Sequence, residues 1–173
     1  EIKTGSQQQG TEENPSIVAP MTASGRAHTI VLKQDGSVWA FGSNTYGQLG
    51  IGTADNVIQN VPQRLTFFDD LRKVEESSDG TLISTGENVV KVYAGEYHLV
   101  ALTDKGNVYT WGLNNRGQLG LGYDPSVRDM VMSPERVTLT DSNAKTVELT
   151  DIVKVSVGTY HTVALSRSGI VYA

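Results

Sequence analysis

The chain is 173 residues long and carries a net charge of −5 with a pI near 5.1. That balance excludes the broad basic patch of a DNA or RNA binder, and no apolar run approaches the ~20 residues of a membrane-spanning helix. The absence of cysteine excludes disulfides and thiolate-bound metals. Residues 1–15, rich in Gln, Thr, Glu and Gly, predict a flexible tail. A chain opening on Glu1 without a signal pattern is expected to be a fragment or a processed form, and its polar tail leans toward an extracellular or bacterial cell-surface origin.

Ile17-Val18-Ala19-Pro20 reads as a leading strand, with Pro20 at an edge or bulge. Then comes Gly25-Arg26-Ala27-His28 and the short apolar run to Leu32, followed by Asp35-Gly36, Phe41-Gly42 and Gly47-Gln48-Leu49-Gly50. The same series recurs as Gly95-Glu96-Tyr97-His98, Lys105-Gly106, Trp111-Gly112 and Gly117-Gln118-Leu119-Gly120. A third copy begins at Gly158-Thr159-Tyr160-His161, passes Ser168-Gly169 and reaches Tyr172. A period of this length signals a repeat architecture.

Within a unit, His98 to Thr103 is too short for a helix, lies between glycines, and is apolar on both alternating faces. The Asp35-Gly36 pair predicts a type I′ hairpin, and Gly106 and Gly169 stand at the corresponding turns. Val89–Tyr93 and Ile152–Val157 supply a preceding strand, and a fourth is expected near Pro62–Thr66 and Pro134–Leu139. Four short antiparallel strands with both faces buried describe the blade of a propeller. The expected organisation is all-β: a first blade with a long connector over 16–88, a second over 89–150, and a truncated third over 151–173. In the first connector, Phe67 to Arg72 suits a strand or a helical turn and Glu75 to Gly80 a solvated loop.

No catalytic constellation stands out, and no cofactor is expected. His28, His98 and His161 hold equivalent places in separate blades. They read as structural residues whose ring nitrogens bond neighbouring backbone, not as a converging metal site. The Gly-Gln-Leu-Gly runs lack the following helix and the Lys-Ser/Thr of a phosphate loop. Glycine tolerance of positive φ in a tight loop, around a buried Leu49 or Leu119, explains them better. Gly25, Gly36, Gly42, Gly95, Gly106, Gly112, Gly158 and Gly169 therefore join the three histidines as structural repeat positions. Residues that break the repeat, or sit in the long connectors, are the candidates for partner contact. They are Arg26, Tyr46, Phe67, Phe68, Arg72, Tyr97, Arg116, Tyr123, Arg128 and Tyr160, since Tyr and Arg are favoured interface anchors.

The frame Gly-x-x-His-x-x-x-Leu, then Gly-x-x-(Tyr/Trp)-x-(Trp/Phe)-Gly-x-Asn-x-x-Gly-Gln-Leu-Gly-x-Gly, resembles the regulator of chromosome condensation repeat. It is complete over 25–52 and 95–122 and half present over 158–173. The resemblance implies a seven-bladed propeller, of which this chain holds an incomplete set. It implies a non-catalytic protein-interaction module gripping a protein partner through its loop tips. The alternatives it raises are guanine-nucleotide exchange on a small GTPase, or a secreted inhibitor or surface propeller. Two blades and part of a third also leave apolar faces open, so self-association is expected.

Overall fold

The computed structural model describes residues 18–80, 82–140 and 143–173. The predicted tail and Ile17 lie outside them. The strand β1 (Met21–Ser24) begins after Pro20, so that Val18, Ala19 and Pro20 precede it, consistent with proline's missing N–H at a strand start. β2 (His28–Leu32), β3 (Val38–Asn44) and β4 (Asp55–Arg64) complete a four-stranded antiparallel sheet in the order β1-β2-β3-β4.

A helix, α1 (Thr66–Arg72), follows, then a small hairpin of β5 (Val74–Glu76) and β6 (Leu82–Ser84). Part of the stretch expected as a loop at Glu75 to Gly80 is thus a strand, with its backbone paired across a turn at Gly80. The second sheet joins β7 (Val89–Ala94), β8 (His98–Thr103), β9 (Val108–Leu113) and β10 (Met130–Arg136), again in consecutive order. A second hairpin, β11 (Thr138–Thr140) with β12 (Thr146–Glu148), leads to the third sheet. That sheet holds β13 (Ile152–Val157), β14 (Thr162–Ser166) and β15 (Val171–Tyr172).

The three sheets stack face to face as propeller blades. β1 and β2 lie against β7, and β13 lies against β7 and β8, so the first strands converge on one side of the stack. Burial follows the stacking. Every residue of β8 and β9 is buried, because the middle sheet is covered on both faces. In β2 burial alternates, because the first sheet is covered on one face. One apolar cluster joins the first two sheets, built on Ile30, Leu32, Leu49, Leu99 and Trp111. A second joins the last two, built on Val100, Val108, Leu149, Val155 and Ala164.

The β2–β3 hairpin differs from the type I′ turn predicted. Only Gly36 has positive φ (78°), and its N–H donates to the Lys33 carbonyl at 2.9 Å. A four-residue turn ending in a left-handed glycine results, with Asp35 accepting from the Ser37 N–H at 2.9 Å. Gly106 (φ 75°) and Gly169 (φ 88°) take the same place in the other sheets.

Candidate interaction face

The repeat glycines and histidines form the frame on which the variable loops sit. A Cβ on Gly25 would lie 2.2 Å from the His28 ring and 2.4 Å from the Gly95 carbonyl oxygen. A Cβ on Gly95 would lie 2.2 Å from the His98 ring and 2.8 Å from the Gly158 oxygen. Each glycine is therefore covered by the histidine three residues on and abutted by the glycine of the next sheet.

Of the expected ring-to-backbone bonds, the His28 ring only approaches the His98 backbone, and the bond His98 makes is to a side chain. His98 Nε2 pairs with Thr162 Oγ1 of the third sheet at 3.1 Å, and its Nδ1 has no partner among the described residues. Neither nitrogen of His28 has one, although the His98 backbone lies beside its ring. The repeat explains the difference: the position of Thr162 is taken in the second sheet by Leu99, which has nothing to offer. Burial pushes both rings down to a pKa of about 4, and for His98 the neighbouring His28 and His161 add to the effect. His161, with no sheet beyond it in the structure, is exposed. Among the described residues, no group of His, Asp or Glu could hold a metal ion.

The Asn-x-x-Gly-Gln-Leu-Gly loops are closed by their own polar side chains. Asn44 Oδ1 accepts from the Leu49 N–H at 3.1 Å and Gln48 Oε1 from the Tyr46 N–H at 2.8 Å. Asn114 and Gln118 repeat these bonds at 3.2 and 2.9 Å. The loop also clips sheet to sheet, since the buried Trp111 ring N–H donates to the Gln48 carbonyl at 3.0 Å.

In an antiparallel sheet of consecutive strands, the first and third turns share one end. The Gly-x-x-His and Gly-Gln-Leu-Gly loops therefore lie together, opposite the Gly36 and Gly106 hairpins. There the variable positions meet across sheets. Arg26 of the first sheet donates to Glu96 at 3.0 Å and to the Tyr97 hydroxyl at 2.7 Å in the second. Tyr46 packs edge-on against Tyr97, with ring centroids 5.2 Å apart. Glu96 in turn faces Tyr160 of the third sheet, and its charge raises that hydroxyl's pKa, while Arg116 opposes the shift. Five of the ten predicted contact residues, Arg26, Tyr46, Tyr97, Arg116 and Tyr160, thus share one face.

The other five do not join this group. Phe68 is buried against Tyr109 and Trp111, 5.9 and 5.7 Å between centroids, which makes it core and removes it as a contact residue. Phe67 packs edge-on against it, and Arg72 reaches back to the Asp35 carbonyl at the opposite end of the first sheet. Tyr123 and Arg128 form their own group around Glu135, with the Arg128 guanidinium 4.2 Å from the Tyr123 ring centroid. Sequence reasoning missed the bridging role of Glu96. Its signal was there: Arg26 and Glu96 hold the same repeat position with opposite charge.

The profile of the regulator of chromosome condensation (RCC1) repeat matches residues 35–102 and 105–165. The chain belongs to the RCC1 repeat family. It is 33% identical over 152 residues to a bifunctional serine/threonine-protein kinase/NEDD4-like E3 ubiquitin-protein ligase of Dictyostelium discoideum, covering 87% of this chain and 7% of that protein. It is 32% identical over 150 residues to the ultraviolet-B receptor UVR8 of Arabidopsis thaliana, covering 87% of this chain and 28% of UVR8. The fold matches yeast RCC1 (Prp20), solved bound to Kap60, with a TM-score of 0.60 at 25% identity, over 88% of this chain and 28% of that one. The chain spans less than a third of the length of these relatives.

Proposed function

We propose that this RCC1-type repeat unit is a non-catalytic interaction module that binds a protein partner through the face carrying Arg26, Tyr46, Glu96, Tyr97, Arg116 and Tyr160. One observation carries the reading: residues that break the repeat, one set per sheet, converge on a single loop face while the repeat residues beneath them are committed to holding the sheets. Three tyrosines and two arginines on a rigid base suit partner binding, because large side chains held in place lose little freedom on contact. The yeast relative, solved with Kap60, is an RCC1 propeller that engages a protein. A second surface follows from the stacking. Val31, Trp39 and Phe41 on the free face of the first sheet, and Val163, Leu165 and Val171 on that of the third, favour association of copies.

The test is comparative capture from cells of the source organism, with wild type, a Tyr97→Ala/Arg116→Glu variant, and Lys105→Glu at the opposite end as control. The expected result is loss of the captured partner by the double variant, with retention by the control and unchanged melting. Equal capture by all three overturns the reading.

A further inference from the structure

At the hairpin end of the stack, opposite the loop face, a groove of about 270 Å³ lies between the second and third sheets. It is bounded by β7, the turn at Gly106 and the start of β13, and Val90, Lys91, Lys105, Asp151, Val153 and Arg167 border it. Three cations from three segments of the chain thus surround one space. At the junction of the first and second sheets, Met21 and Asp35 hold the places of Lys91 and Lys105. There the Arg72 guanidinium closes on the turn, with one nitrogen 3.1 Å from where a Cβ on Gly36 would stand.

Both carboxylates of the groove are already engaged. Asp104 accepts from the Asn88 backbone N–H at 3.1 Å and from its side-chain amide at 2.8 Å. Asp151 pairs with Arg167 at 3.5 Å. Among the described residues, Lys91 and Lys105 have no ion-pair partner. The backbone fixes the walls around them. Asp151 stands at φ 64°, its carbonyl accepts from the Arg167 N–H at 2.9 Å, and the next N–H, of Ile152, donates to the Gly106 carbonyl at 3.0 Å. Register shifts leave Val90 and Val153 as extra residues in β7 and β13, and bulges of this kind re-aim the side chains beside them.

We propose that this groove binds a small ligand through a phosphate group. The Lys91 and Lys105 ammonium groups supply charge, and the Arg167 guanidinium supplies a forked pair of donors. The Arg167–Asp151 pair is long and exposed, so releasing the guanidinium costs little. With three cations against two acids the groove is positive, and a phosphate carrying two charges gains more from it than a single carboxylate does. A volume just below that of pockets for drug-sized ligands suits a phosphate monoester or a diphosphate. The site stands apart from the partner-binding face and does not depend on it.

The probe is sodium pyrophosphate, titrated into the full chain at constant ionic strength and followed by amide NMR shifts. The expected result is saturation with a Kd below about 5 mM, with shifts centred on Gly106, Ile152 and Val153. Lys91→Gln and Lys105→Gln should each weaken binding about tenfold. Lys154→Gln removes the same charge at the repeat position of Lys91 one sheet on, outside the groove, and should change it less than about twofold. Citrate, comparable in charge but built of carboxylates, should bind at least about tenfold more weakly. Absence of saturation by about 20 mM pyrophosphate, equal effects of Lys91→Gln and Lys154→Gln, or citrate binding as tightly as pyrophosphate overturns the proposal. The dispersion of the same spectra shows that each variant is folded.

Discussion

His28 and His98 stand at the same repeat position and differ in one bond, which sets two expectations. Both rings are buried and held neutral, with pKa values near 4 against an ordinary 6.5. In the unfolded chain they take up protons near pH 6.5; in the folded chain they do so only near pH 4. Stability is therefore full above pH 6.5 and falls as the pH drops from 6.5 toward 4, by up to roughly 3 kcal/mol for each ring. Urea midpoints measured between pH 7.5 and 4.5 should show this fall. His28→Leu should flatten part of it while leaving stability at pH 7.5 unchanged or higher, since His28 forfeits no bond. A flat wild-type profile refutes this account. Thr162→Val removes the partner of His98 and should lower stability by about 1 kcal/mol at neutral pH, read from the same midpoints.

Among the elements, the clip between the Gly47–Gly50 loop and β9 rests on the side chain of Trp111. Trp111→Phe keeps most of the packing but leaves the Gln48 carbonyl without its donor, so a loss of about 1–3 kcal/mol is expected. Gly95→Ala should destabilise more than an ordinary glycine-to-alanine change in an element interior, about 1 kcal/mol, because the new methyl meets both the His98 ring and the Gly158 carbonyl. Melting curves of the two variants decide both points. The β8 and β9 strands, and the paired loops after β3 and β9, were legible because short apolar runs punctuated by glycine specify them locally. The β5–β6 hairpin was not: Glu75 and Glu76 read as solvated loop, and solvated they are, but their backbone found a partner across the turn. The bonding of the histidines was hidden for another reason. It depends on the residue after the next repeat's histidine, Leu99 in one case and Thr162 in the other. Of the interaction face, the residues could be read, but their meeting could not, because it depends on loops from three sheets sharing one end.

Taken whole, the described residues leave partly exposed apolar side chains on the two outer sheet faces, Val31, Trp39 and Phe41 at one end of the stack and Val163, Leu165 and Val171 at the other. Copies should therefore stack end to end, in a heterologous contact that does not close on itself at two copies. Sedimentation velocity from about 1 to 100 μM should show the mean mass rising with concentration, and Leu165→Asp should return it toward the monomer. A monomer throughout that range contradicts this expectation. The column of Gly25, Gly95 and Gly158 bears on the geometry of any such stack. Where those three residues abut, near the convergent first strands, successive sheets lie so close that a Cβ on Gly25 or Gly95 would collide with the next glycine's carbonyl oxygen. That spacing sets the wedge angle from one blade to the next, and the angle sets how many blades complete a turn. A methyl group there would push the narrow edges apart and flatten the wedge. Curvature of this stack thus depends on the absence of one carbon atom at Gly25 and at Gly95.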